Sequence, residues 1–236
     1  MELFYQENIE HNQSDLVFSS EESKHIVKVL RKKNGDQIYV TNGNGLQWNG
    51  EIDHSNNGKV IAKKVNSILH KNKVKKLHIA IAPPKNNNRM EWFLEKSTEI
   101  GISQITPLVC DHSERKVIKQ FRMKKILIGA IKQSNQFYLP KLNPTCDYKN
   151  FIKKKFSEIK MIAHCREGVK KELHKIEKIQ SPLLILIGPE GDFSEKEIET
   201  ARENSFIEIS LGNQRLRTET AGIVACNSVD ILRSAN

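Results

Sequence analysis

The chain of 236 residues has no long apolar run; the longest, Leu183–Ile187, is five residues. A membrane-crossing helix needs about 20, so none is expected. The first ten residues hold neither a basic stretch nor an apolar one, so no secretory leader is expected. Cysteine is scarce. Cys110, Cys146, Cys165 and Cys226 are scattered without a C-x-x-C pair, which argues against a zinc ribbon or a disulfide scaffold and fits a reducing, cytoplasmic setting. The eight histidines show no H-x-x-x-H or H-E-x-x-H spacing, so no metal site is expected. G-x-S-x-G, G-x-x-x-x-G-K-[ST] and G-x-G-x-x-G are all missing, which disfavours a serine hydrolase, a P-loop enzyme and a dinucleotide enzyme. With 12 glycines, 7 prolines and 28% charged residues, the chain is a globular one, long enough for one large domain or two small ones.

What is abundant is positive charge in one place. The net charge is +10, but residues 1–70 carry −1, residues 71–180 carry +15 and residues 181–236 carry −4. A focused basic field attracts polyanions, because each Lys or Arg near a phosphate releases condensed counterions. The excess is mostly lysine, so charge alone leaves a lysine-rich surface as an equal reading.

The first 70 residues read mostly as short strands. Leu3–Tyr5, Leu16–Phe18, Gln37–Thr41, Leu46–Asp53 and Lys59–Val65 are strand candidates, with turn signals at Asn42–Gly45 and Ser55–Gly58. Ser19 and Glu22 form an S-x-x-E capping pattern opening a helix with His25, Ile26, Val29 and Leu30 at helical spacing. Such short strands and tight turns suit a small β-barrel or open sandwich. Beyond a Lys-rich linker at His70–Val74 the pattern changes. Strand candidates at Leu77–Ala82, Gln104–Cys110 (interrupted by Pro107), Lys160–His164, Leu183–Ile187 and Phe206–Leu211 alternate with helices at Arg89–Ile100, Lys119–Gln136, Ser194–Glu203 and Thr218–Arg233. That alternation predicts an α/β domain with a parallel sheet.

Two stretches stand where a strand runs into a helix, the usual ligand position in open α/β sheets. The first is Ile187-Gly188-Pro189-Glu190-Gly191-Asp192-Phe193-Ser194. Its glycines let a ligand approach the backbone, although an ordinary βα turn would look similar. The second is Leu211-Gly212-Asn213-Gln214-Arg215-Leu216-Arg217-Thr218-Glu219-Thr220-Ala221. Helix N-termini disfavour cations, so Arg217 is oddly placed unless it serves a ligand or a carboxylate such as Glu219 or Glu190. Ala221, Gly222 and Ala225 give the last helix a small-residue face suited to close packing against another element or another subunit. Lys85 and Arg89 follow the first strand of the α/β domain, and Arg115 and Lys116 follow the next; these polar loops are either phosphate contacts or simply solvated. His25 and His164 read as packing residues.

In order along the chain, these motifs resemble the RsmE family, the 16S ribosomal RNA uridine-N3 methyltransferases of the SPOUT class. The two loops look like its signature loops. His25-x-x-x-Val29-Leu30-Arg31-x-x-x-Gly35-Asp36 resembles its N-terminal domain, and Lys96-x-x-Glu99-x-Gly101 and Gln133-Ser134 its middle motifs. The resemblance implies a PUA-like RNA-binding β-barrel over 1–70 and a SPOUT α/β methyltransferase domain with a trefoil knot and parallel sheet over 74–236. It implies a homodimer that binds S-adenosyl-L-methionine and methylates N3 of one uridine in the 16S rRNA of the small subunit. Cofactor contacts are then expected at Ala163, Ile187, Gly188, Glu190, Gly191, Leu211, Gly212, Leu216 and Thr218. Arg217 is the expected stabiliser of the uracil anion, with Glu219 or Glu190 as a base or an Arg-orienting carboxylate. Arg31, Lys85, Arg89, Arg115 and Lys116 are the expected RNA contacts.

Three positions depart from the family pattern. Asp192 stands where the family often has a second Gly before Phe, Asn213 where it often has Pro, and Asn135-Gln136 where it often has Gly-Arg. Two alternatives remain open: another SPOUT RNA methyltransferase acting on ribose or a different base, and a non-catalytic RNA-binding or ribosome-assembly protein of the same fold.

Overall fold

The computed structural model describes residues 1–56, 59–71, 76–176 and 181–234. The chain folds into two compact units: Met1–Lys73 with Ile131–Leu139, and Val74–Ala130 with Pro140–Asn236. The elements in chain order are β1 (Leu3–Tyr5), β2 (Asp15–Val17), α1 (Ser20–Lys24) running into a π-helical turn (His25–Val29), β3 (Gln37–Thr41), β4 (Leu46–Asn56), β5 (Lys59–Leu69), β6 (Leu77–Ile81), α2 (Asn87–Ile100), β7 (Gln104–Val109), α3 (Gln120–Ser134), β8 (Lys141–Leu142), β9 (Cys146–Asp147), α4 (Tyr148–Ile152), β10 (Ile159–Ala163), β11 (Lys171–Glu172), β12 (Leu183–Ile187), α5 (Glu195–Glu203), β13 (Ile207–Ser210) and α6 (Thr218–Ser234).

In the first unit the strands pair in the order β1-β3-β4-β5-β2. Alternate residues of all five strands, among them Phe4, Leu16, Ile38, Val40, Trp48 and Ala62, meet in one core, as a rolled sheet requires. Ser19 Oγ accepts from the Glu22 amide at 3.2 Å, so the expected cap starts α1. The regular helix lasts only five residues, because Leu30 N–H bonds His25 O, one residue further back than an α-helix allows. That wider turn buries Ile26 but leaves Val29 65% exposed, so the helical face expected of His25 and Val29 does not form. Arg31, exposed and in left-handed backbone at φ 56°, ends the turn. Of the expected turn Ser55–Gly58, Asn57 and Gly58 lie outside the described residues, as do Asn72–Val74 of the expected linker.

The second unit holds a sheet with order β11-β13-β10-β12-β6-β7-β8, β9 also pairing with β7, and every pair is parallel. The central strands are buried on both faces, which is why β12 reads as a continuous apolar run. Leu184 and Leu186 face a core with Tyr148, Phe151, Phe193 and Ile198. On the other face Gly222 of α6 sits against α2 and β6: a Cβ there would lie 2.6 Å from the Phe93 ring and 3.1 Å from Ile81. Gly222 and Ala225 of the small-residue face are thus buried inside the chain, while Ala221 borders a cavity. After β13, beyond β10, the chain returns to pack α6 on α2, β6 and β12, the course a knotted arrangement follows.

Pro107 does not interrupt its strand; it is in register with Ile81 inside β7. Carbonyls of Ser103 and Ile105 accept from Lys141 and Asn143 on the β8 side, so position 107 faces that side too. There it falls between β8, which pairs residues 104–105, and β9, which pairs 108–109, and its missing N–H leaves no ladder bond unmade. Gly101 closes α2 at φ 101°, the left-handed cap expected of it. No helix among the described residues is long and apolar enough to cross a membrane.

Candidate functional site

At the carboxyl ends of β10, β12 and β13, three loops enclose a cavity of about 430 Å3. Ala163 and Ile187 end two of the strands, and Gly188, Glu190, Leu211, Gly212, Leu216 and Thr218 line the wall with them. The volume suits a small organic ligand, for which about 300–1,000 Å3 is usual. Gly191 is not part of the wall. It stands against His112, where a Cβ would come within 3.1 Å.

The loop after β12 is held from several sides. Gly188 is packed under Phe193: a Cβ would meet the ring at 3.1 Å and the Phe193 amide nitrogen at 3.2 Å. Thr218 Oγ1, buried at the first residue of α6, donates to Gly188 O at 3.0 Å. The Glu190 carboxylate accepts from the Lys85 amide at 3.0 Å. Ser194 and Glu197 form both bonds of a capping box, so α5 begins where its sequence signal stands. The other Glu197 oxygen accepts from Asp111 N–H at 2.9 Å, and Ser194 Oγ donates to Asp111 at 2.7 Å, which fixes the start of α5 to the loop after β7.

Residues outside the expected contact set also line the cavity: His164, Cys165, Lys170, Asp192, Ser210, Asn213, Gln214 and Arg215. Their signal was position, since they flank strand ends already marked. The His164 ring is buried, its Nε2 3.1 Å from Glu208, which also holds Arg202 at 2.8 Å. Burial pushes the His164 pKa below its ordinary value, and the Arg202 hydrogen bond holds the Glu208 carboxyl low. His164 is thus a packing residue, as expected, that also borders the cavity.

Arg217 is exposed just before α6, and among the described residues its guanidinium meets no carboxylate. Like Arg217, Glu219 does not border the cavity; it is 6% exposed and lies 3.5 Å from Arg89 Nε at the start of α2. Its Oε2 is buried without a partner among the described residues. The polar loops after β6 and β7 brace one another. Arg115 Nε donates to the carbonyls of Pro84 and Lys85 at 3.2 and 3.0 Å, and Lys85 Nζ pairs with Glu114 at 2.7 Å, which raises the lysine pKa. Lys116 is exposed.

Comparison with known proteins accounts for this arrangement. The family described as RNA methyltransferase domain matches residues 70–230, and the RNA methyltransferase PUA domain matches residues 18–65. The ribosomal RNA small subunit methyltransferase E of Buchnera aphidicola subsp. Acyrthosiphon pisum is 30% identical, over 98% of this chain and 92% of its own. The chain belongs to the ribosomal RNA small subunit methyltransferase E family. A crystal structure titled a probable rRNA-methyltransferase, from Porphyromonas gingivalis, has a TM-score of 0.92 at 35% identity and covers 100% of this chain and 99% of that one. The methyltransferase E of Neisseria gonorrhoeae, solved bound to S-adenosyl methionine, has a TM-score of 0.87 at 25% identity, covering 99% and 98%.

Proposed function

We propose that the chain transfers a methyl group from S-adenosyl-L-methionine to N3 of a uridine in the 16S rRNA of the small ribosomal subunit. The observation that carries this reading is the three-loop cavity in a chain of this family. The wall fits the cofactor. Ile187, Leu211 and Leu216 offer apolar surface to a purine, and Gly188 and Gly212 present backbone without a side chain. Ala163, Glu190 and Thr218 complete the holding residues, with Gly191 acting from behind through its contact with His112.

When bound, S-adenosylmethionine supplies an activated methyl on a positively charged sulfur. Uridine N3 is protonated at neutral pH and lies on the Watson–Crick edge, so the base has to be unpaired or extruded to reach the cavity. The Arg217 guanidinium stabilises the negative charge that develops on the uracil oxygens as the N3 proton is lost to solvent water while the base enters the site, so that the uracil anion takes the methyl group and S-adenosylhomocysteine is left. Holding base and methyl in line in a site shielded from water lowers the barrier further. Glu219 orients Arg89, and Glu190 holds the Lys85 loop, rather than either acting as the base. Arg89 and Lys116 then meet phosphates, with Lys85 and Arg115 shaping the loops beside them. Residues 1–70 form the RNA-binding PUA-like domain, in which Arg31 helps dock structured RNA, and residues 74–236 form the methyltransferase domain. The protein works in the cytoplasm as a homodimer, an assignment supported by the family resemblance and checked by light scattering as a mass near twice 27.1 kDa.

Titration calorimetry tests the reading. S-adenosylmethionine is expected to bind the wild type and not Gly188→Val, whose side chain would collide with Phe193. RNA binding with no cofactor binding, even with small-subunit particles present, would instead leave an RNA-binding or assembly protein of the same fold.

A further inference from the structure

We propose that Asp192 is a positioning residue that locks cavity loops together and so sets the affinity for S-adenosylmethionine; the inference rests on the functional reading above. Asp192 borders the cavity in left-handed backbone at φ 64°. Few residues other than glycine accept that conformation, and Asp is one of them because its short polar side chain bonds locally. Here the side chain does more than bond locally. One carboxylate oxygen accepts from the Phe193 amide at 2.8 Å, within its own loop. The other accepts from the Cys165 amide at 2.8 Å, across to the loop after β10. The Asp192 carbonyl takes a hydrogen bond from His112 Nδ1 at 2.9 Å, in the loop after β7. One residue therefore joins the loops that follow β7, β10 and β12, two of which line the cavity. Glycine would satisfy the backbone angle equally well but would remove the link to Cys165.

Hydrogen bonds to an ionised carboxylate are the strong ones. Loops already held in place lose less freedom when a ligand binds, so their ties appear as affinity. Both carboxylate oxygens are engaged by the protein, so the residue braces the wall; the comparison of charged and uncharged ligands below separates that role from pairing with the cofactor's sulfonium.

The test compares wild type, Asp192→Gly and Asp192→Asn. Each is titrated with S-adenosylmethionine and with S-adenosylhomocysteine, which lacks the sulfonium charge, and amide exchange is followed at Cys165. Asp192→Gly is expected to fold with a Tm close to wild type, to lose roughly tenfold affinity for both ligands, and to exchange the Cys165 amide faster. Asp192→Asn keeps one acceptor oxygen and should fall between. Unchanged affinity with unchanged exchange in Asp192→Gly would overturn the proposal. So would a loss for S-adenosylmethionine alone, which would make the carboxylate a partner of the sulfonium. Wild type that binds neither ligand would refute the functional reading and the affinity role, while exchange at Cys165 would still report the tie itself.

Discussion

In the proposed mechanism the chemistry turns on Arg217. It stands ahead of a helix N-terminus that repels cations, with no carboxylate to hold it among the described residues. Arg217→Ala should keep S-adenosylmethionine binding and Tm near wild type while kcat falls by about 10²–10³, the usual loss when a charge-stabilising group is removed. A smaller loss would move the role to another group. Asp192 and Asn135 share a logic. Both stand where the family often carries glycine, and both occupy left-handed backbone, at φ 64° and φ 54°. The departures therefore keep the glycine conformation with the residues best able to imitate it. His78 sets a pH dependence away from the site. Burial beneath the sheet, reinforced by Lys141 and Lys154 and opposed by Glu158, pushes its pKa down to about 4. The folded state thus prefers neutral His78. Its contribution is complete above the unfolded value of about 6.5 and is lost as pH falls toward 4, to a total of about 3 kcal/mol. Urea unfolding at pH 7 and pH 4.5 should show a larger drop for wild type than for His78→Gln.

At the scale of elements, two glycines in helices should answer oppositely to the same substitution. Gly222 lets α6 close on α2, and a Cβ there would meet the Phe93 ring at 2.6 Å. Gly222→Ala should cost about 1–3 kcal/mol in urea unfolding. Gly129 in α3 has no packing neighbour within 4 Å of a Cβ among the described residues, so Gly129→Ala should stabilise by about 0.5–1 kcal/mol. Equal effects would mean that the α2–α6 approach tolerates a methyl group. The elements with strong local signals were legible in the sequence. β12 announces itself by a doubly buried apolar run, and α5 by its capping box. β8, β9 and β11, two residues each, and the five-residue α4 were not, since so short a segment has no periodicity to read. The π-helical turn was hidden for another reason: it preserves the composition of a helix and changes only which side chains face inward. At the site, the two signature loops were legible from their glycines and strand ends. The Asp192–Cys165 bond spans 27 residues and the Glu219–Arg89 pair joins two distant helices, so neither leaves a local pattern.

At the scale of the whole molecule, the net charge is uneven along the chain, +15 over residues 71–180 against −1 and −4 on either side, a balance that favours a polyanionic partner. Binding to small-subunit rRNA should weaken steeply with salt. Lys116→Ala should lower the slope of log affinity against log salt by roughly 0.7–0.9 while weakening all RNA sequences alike. A slope unchanged by that substitution would remove Lys116 from the phosphate contacts. The central claim concerns the atom that receives the methyl group. Small-subunit particles from cells lacking this protein, incubated with the purified chain and S-adenosylmethionine, should yield 3-methyluridine on nucleoside mass spectrometry, and Arg217→Ala should yield far less. Particles that gain a ribose 2′-O-methyl group, a different methylated base, or no methyl group would contradict the account.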